Sequence, residues 1–152
     1  SDVCSSDLGS SLWYTHDQSP RMIYEVNPAD GTVIDSFAAP GGGDSTGLAW
    51  DGAYLWNTGF GEDIYQLDTA GNVQTSFAAP TSTPEGMTYA NGYLWAIGYS
   101  DTLYKLNPAD GTIAASYSTP PSANLYGLTS DGTYLWLSTS DGSIKRHLLS
   151  GL

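Results

Sequence analysis

Basic residues are scarce in this chain: four Lys and Arg stand against sixteen Asp and Glu in 152 residues, a formal charge of −12. So acidic a protein lacks the basic surface needed to track phosphates, which excludes nucleic acid as a partner, and an anionic membrane surface repels it. Cysteine is reduced to Cys4, so no intrachain disulfide can form and cysteine usage leaves the redox compartment open. That thiol reads as free, with pairing to a segment outside the chain as the alternative. No run approaches 18 apolar residues and no secretory leader pattern is present, so membrane insertion is not expected. Histidine is limited to His16 and His147, both read as structural. No set of His, Cys and Asp has metal-ligand spacing. There is no Gly-x-Ser-x-Gly elbow, and Gly41-Gly42-Gly43 lacks the Lys and helix of a phosphate loop. No stretch carries a 3.6-residue apolar period, which predicts essentially no helix. Disorder is excluded as well, because charged residues are only 13% of the chain and aromatics reach 12%.

What is present is a repeat. GLAWDGAYLW from Gly47, GMTYANGYLW from Gly86 and GLTSDGTYLW from Gly127 start 39 and 41 residues apart. The Leu-Trp pair recurs at Trp13, Trp56, Trp95 and Trp136, spaced 43, 39 and 41. Each copy continues into an alternating strand, MIYEV from Met22, DIYQL from Asp63, TLYKL from Thr102 and SIKRH from Ser143. Asp51-Gly52, Asn91-Gly92 and Asp131-Gly132 are tight-turn signals, since glycine takes positive φ without a Cβ clash. In the first unit Leu8-Gly9 replaces them. Pro28 and Pro108 sit in later turns, where a missing N–H does no harm. Four short strands every 39 to 43 residues predict an all-β fold, a β-propeller of four-stranded antiparallel blades. The blades fall at about 4–39, 47–79, 86–119 and 127–149 of a single domain over 1–152, nearly four in all, the last lacking its outer strand.

The block GLxxDGxYLW…IYxLDPxxGxVxxSFxxP resembles the repeats of secreted prokaryotic propellers. The similar groups are the lactonase-like superfamily, with its Tyr-Val-Thr-Asn repeat, and the relatives of plant-type glutaminyl cyclotransferases. Leu55-Trp56, Leu94-Trp95 and Leu135-Trp136 stand where the first group has Tyr-Val, and Ile64 to Asp68 and Leu103 to Asn107 match its following strand. The resemblance implies a blade and is nearly silent on function, because such repeats serve lactonases, lyases, cyclotransferases, surface proteins and plain scaffolds.

Candidate site residues come from departures from the repeat. Trp13, Trp56, Trp95 and Trp136 keep one place in every unit and read as packing between sheets. The less regular aromatics are ligand-binding candidates. Trp50 and Tyr89 share a position that is Ser130 in the last unit, Phe60 and Tyr99 lie in equivalent loops, and Tyr126 precedes an inner strand. In propeller topology one rim collects Asp17, Asp44, Glu62, Asp63, Glu85, Asp101 and Asp141. Of these Asp44, Glu62, Asp63, Glu85, Asp101 and Asp141 are candidate ligands for Ca²⁺, a hard cation that takes carboxylate oxygens. Asp30, Asp51, Asp68, Asp110 and Asp131 belong to the opposite rim as turn residues. The inner strands Leu48-Ala49-Trp50, Met87-Thr88-Tyr89 and Leu128-Thr129-Ser130 carry no carboxylate, so no catalytic residue is assigned.

The reading is a non-enzymatic, extracellular module, secreted or on the cell surface, that offers a protein or glycan contact surface or serves as a stalk. A fragment of a propeller enzyme is the alternative. Nearly four blades either close as a tight monomeric ring or, unclosed, leave an open strand ladder and apolar faces near Leu12 and Tyr14, which predicts a homodimer closing a ring of about eight blades. Bulky Trp50 and Tyr89 on inner strands tilt the choice toward that larger ring.

Overall fold

The computed structural model describes residues 5–7, 11–16, 18–61, 63–99, 102–119 and 124–152. Cys4, Asp17, Glu62 and Asp101 lie outside the described residues. Fifteen strands form four antiparallel sheets, each a meander in chain order. The first contains β1 (Ser5–Asp7), β2 (Leu12–His16), β3 (Met22–Val26) and β4 (Val33–Ala38). The second contains β5 (Ser45–Trp50), β6 (Leu55–Gly59), β7 (Asp63–Leu67) and β8 (Val73–Ala78). The third contains β9 (Pro84–Ala90), β10 (Tyr93–Gly98), β11 (Thr102–Leu106) and β12 (Ile113–Ser118). The fourth has three strands, β13 (Leu125–Ser130), β14 (Tyr134–Thr139) and β15 (Ile144–Leu148), followed by a single 3₁₀ turn at Leu149–Gly151. The described residues contain no α-helix, as the missing 3.6-residue period predicts.

Successive sheets pack face to face, with the leading strands β1, β5, β9 and β13 in contact along the series. Alternation along each strand gives every sheet two different faces. The face turned toward the next sheet carries the repeated Trp, an Ile or Leu from the third strand, and an aromatic ring from the fourth. Trp13, Ile23 and Phe37 of the first sheet meet Leu48, Leu55 and Leu67 of the second. Trp56, Ile64 and Phe77 then meet Met87, Leu94 and Leu106, and Trp95, Leu103 and Tyr117 meet Leu128, Leu135 and Leu137. These are separate cores of one design. The first and fourth sheets share no interface of this kind among the described residues.

Glycine opens the repeat because the leading strands approach closely. A Cβ on Gly86 would come within 2.8 Å of the backbone nitrogen of Leu128 in the next sheet. The turns between third and fourth strands are held by their own side chains. Asp30 Oδ1 accepts the Thr32 N–H at 3.0 Å and its hydroxyl at 2.7 Å, and Asp110 does the same with Thr112.

Two expectations are corrected here. The leading strands begin two residues before the glycine, at Ser45, Pro84 and Leu125, so β9 does carry a carboxylate, Glu85. Trp50 and Tyr89 pack against the inter-sheet cores, Trp50 on the Leu48 and Leu55 cluster and Tyr89 on that of Met87 and Leu94. Both are half-buried against these clusters, so their bulk is taken up along the inter-sheet cores and gives no argument for a larger ring.

Candidate aromatic rim and its buried carboxyl

Each of the last three leading strands slips register near its start. Ser45 pairs with Gly59 and Gly47 with Thr58, leaving Thr46 outside the ladder. Pro84 pairs with Gly98 and Gly86 with Ile97, leaving Glu85 out. Leu125 pairs with Thr139 and Gly127 with Ser138, leaving Tyr126 out. A bulge re-aims the side chain of its extra residue. Thr46, Glu85 and Tyr126 thus occupy one structural position on three adjacent strands. The first two of these strands are tied at this point, since the Thr46 hydroxyl donates to the Pro84 carbonyl at 2.6 Å.

The loops that follow β6, β10 and β14 reach the same rim. The Phe60 N–H donates to the Asp44 carbonyl at 3.0 Å, and the Ser140 N–H to that of Asn124 at 2.9 Å, so the loops after β6 and β14 are pinned to the segments entering their own sheets. The Gly61 N–H crosses to the Ser82 carbonyl at 3.0 Å. Thus held, Phe60 stacks on Tyr99 with ring centroids 6.2 Å apart and planes 14° from parallel. Tyr126 meets Tyr99 edge-on at 6.0 Å. Three sheets contribute one ring each. Tyr99 and Tyr126 are each 40% exposed, and Phe60 is half-buried. Three of the five candidate aromatics therefore come together, and Trp50 and Tyr89 do not.

The strands β5, β6 and β9 carry polar groups withdrawn from water: Ser45, Thr46, Asn57, Thr58 and Glu85, the last only 4% exposed. Asn57 Nδ2 donates to Ser45 Oγ at 2.7 Å and to the Gly47 carbonyl at 2.9 Å. Sequence reasoning counted Glu85 among rim acids and missed its burial. The signal available was its place one residue before the repeat glycine, where Thr46 and Tyr126 also stand.

The acidic candidates are dispersed. Asp44 accepts from Arg21 Nε and Nη2 at 3.1 and 2.7 Å, while Arg21 Nη1 donates to the Gly42 carbonyl. Asp141 closes its own turn, accepting from the Ser143 N–H, the Ser143 hydroxyl and the Thr139 hydroxyl. Those bonds, the Ser143 hydroxyl first, hold its carboxyl down at about 2. Asp63 begins β7. No group of three His, Cys, Asp or Glu assembles as metal ligands among the described residues. On the opposite rim the turn acids behave as expected. The Thr32 N–H lowers the Asp30 carboxyl, the Asn72 amide that of Asp68, the Thr112 hydroxyl that of Asp110, and the Tyr134 N–H that of Asp131. His16 Nδ1 lies 3.2 Å from the Gln18 carbonyl in a local contact. Among the described residues no helix is long and apolar enough to cross a membrane.

Comparison with protein-family models gives no match, and none of the curated proteins matches in sequence. Solved structures do match. The glutaminyl cyclase of Myxococcus xanthus superposes with a TM-score of 0.77 at 13% identity, covering 96% of this chain and 72% of the enzyme. The computationally designed Ika4 protein gives 0.67 at 10% identity, covering 97% of this chain and 91% of its own. A catalytically inactive virginiamycin B lyase from Staphylococcus aureus, solved with quinupristin, gives 0.63 at 18% identity. That match covers 97% of this chain and 55% of the lyase. At such identities the likeness speaks for the fold. The chain is an all-β protein of four antiparallel sheets with the architecture of β-propellers.

Proposed function

We propose that this chain is a non-enzymatic propeller module, secreted or displayed on a cell surface, whose aromatic rim binds glycans. The observation that carries the reading is the contact series Phe60, Tyr99 and Tyr126, one ring from each of three sheets, with the last two open to solvent. Flat rings pinned by backbone hydrogen bonds suit the apolar face of a sugar, at little entropic cost on binding. A glycan array with the whole chain tests it. Tyr99→Ala and Tyr126→Ala should each weaken a positive signal about tenfold or more, as expected of an anchor worth over 1.4 kcal/mol. Binding indifferent to both substitutions removes the rim as the site. Capture of a secreted protein in place of any glycan replaces the ligand class and keeps the surface.

A second reading rests on Glu85. A carboxyl buried on a leading strand that borders the proposed binding rim is the kind of group used for proton transfer. Two fold neighbours are named as a glutaminyl cyclase and a lyase. Incubation with a peptide bearing N-terminal glutamine, followed by ammonia release, tests a cyclase activity. Turnover that vanishes in Glu85→Gln with the melting temperature unchanged would establish the enzyme. Calcium on the acidic rim would raise the melting temperature and chelation would lower it. Equal values at matched ionic strength dismiss it.

A further inference from the structure

The residue directly across from the repeated Trp changes from sheet to sheet. Trp95 faces Lys105, Trp136 faces Arg146, Trp56 faces Gln66, and Trp13 faces Glu25. In the third sheet Lys105 Nζ lies 5.1 Å from the Trp95 ring and 4.5 Å from that of Tyr93. In the fourth, the Arg146 guanidinium sits 5.8 Å from Trp136 and 4.8 Å from Tyr134. These two sheets supply their own cation to an aromatic pair, a favourable arrangement for charge against a ring face.

The first sheet inverts the pattern. Ser11 takes the place of Tyr93 and Tyr134, and Glu25 takes the place of the cation. Asp35 is paired directly opposite Glu25 on β4, where Lys105 has Ala115 and Gln66 has Thr75. Like charges directly opposite on a sheet repel. The smaller Ser11 borders an open cleft of about 460 Å³ between the first and second sheets. Its walls are Trp13, Glu25 and Asp35 on one side and Trp50 with the Thr69–Ala70 turn on the other. The Ser11 hydroxyl holds Glu25 Oε1 at 2.5 Å.

One further group points to a ligand. Trp13 is 1% exposed and its indole N–H has no hydrogen-bond partner among the described residues. Trp56 and Trp136 donate theirs to Asp51 and Asp131 at 2.7 and 2.8 Å, and Trp95 donates to the Ala90 carbonyl. Leu8 replaces that aspartate in the first unit, so the sequence supplies no side-chain acceptor at that position. A buried donor left unpaired costs about 1–3 kcal/mol.

We propose that this cleft binds a guanidinium or primary ammonium group whose carrier also brings a carbonyl or carboxylate oxygen. The cation takes the place that Lys105 and Arg146 fill in their own sheets, between the Glu25 and Asp35 carboxylates and against the Trp50 ring. The accompanying oxygen accepts the Trp13 N–H. A basic amino acid, free or within a peptide, has both groups, and a cleft of this size admits one such side chain.

Tryptophan fluorescence of the whole chain, titrated with N-acetyl-arginine amide and with free arginine, tests this. Either ligand should saturate with a dissociation constant of about 1 mM or tighter, with the tighter of the two identifying the source. N-acetyl-glutamine amide, which keeps the carbonyls and lacks the cation, should bind at least about tenfold more weakly. The double variant Glu25→Gln/Asp35→Asn should lose the binding. Asp30→Asn/Asp110→Asn, which removes equal charge elsewhere, should keep it and so separate the cleft from general attraction to an acidic protein. Glu25→Lys should abolish binding and raise the melting temperature, because the cation is then built in. Equal affinity for the neutral and cationic probes, retention of binding in the Glu25/Asp35 double variant, or absence of saturation overturns the proposal.

Discussion

The same two residues, Leu-Trp, have different fates at the two ends of the sheet series. Trp13, Trp56 and Trp95 are all buried to 1% exposure, because the leucine-rich face of a following sheet covers each. Trp136, in the same repeat position, is half-buried and makes an edge contact with Tyr134. Ile144 aligns with Ile23, Ile64 and Leu103, which are buried, yet it is 72% exposed. Burial here belongs to the interface between two sheets, and a blade by itself supplies only half of one.

The comparison can be broken by substitution. Trp95→Ala should cost about 3–5 kcal/mol in urea unfolding, the range for a large aromatic removed from a packed core. Trp136→Ala, read at dilute concentration, should cost about 1 kcal/mol or less. Equal costs would mean the fourth sheet is covered in solution.

Association is the next largest effect. The open face with Trp136, Ile144 and Leu148 has the layout that meets a leucine face elsewhere in the chain, and the first sheet offers half-buried Leu12 and Tyr14. A second copy seated there would give about 32 kDa by light scattering, twice the 16.1 kDa of one chain. Ile144→Asp should return it to one chain without lowering the stability of the monomer. A wild-type mass of one chain at micromolar concentration dismisses the dimer.

Two glycines sharpen the contrast. Gly86→Ala pushes a methyl group against the Leu128 backbone and should cost about 1–3 kcal/mol. At Gly127 the nearest atom to an added Cβ is the Ser138 hydroxyl at 2.7 Å, a side chain able to rotate, so Gly127→Ala should cost less than Gly86→Ala. Thermal melts of the pair decide it. The smallest effect is acid dependence. The Asp141 carboxyl titrates near 2 when folded and near 3.8 as a free side chain. Its contribution is therefore complete above the unfolded value and lost as pH falls toward 2. Asp141→Asn should flatten the melting temperature against pH across that window, and an unchanged slope would show that the Ser143 and Thr139 bonds contribute nothing.

Much of the architecture was legible in the sequence. The repeated Gly-Leu, Asp-Gly and Leu-Trp elements fix the spacing of strands and turns, and four sheets with a three-stranded last one follow. The contact series of Phe60, Tyr99 and Tyr126 was legible in part, Phe60 and Tyr99 as irregular aromatics in equivalent loops and Tyr126 as one just before the repeat glycine. Trp50 and Tyr89 lie on the inner strands as read but outside that ring series, because alternation gives the face of a strand and leaves open how a neighbour covers it. Glu85 escaped because a bulge breaks the period of two that the reading relied on. The exposure of Trp136 depends on what lies beyond its sheet, and no local pattern encodes that.

The two unlike faces of each sheet also bear on how such a chain grows. A unit with a tryptophan side and a leucine side is a directional building block, joined head to tail. Duplicating one whole unit of about 40 residues inserts one new junction of the old kind and leaves every other junction intact. Duplicating half a unit would set like side against like. Gene-level copying is thus accepted or rejected by phase, and individual units can differ, as Glu25 and Lys105 do at one repeat position, without the series losing its joints.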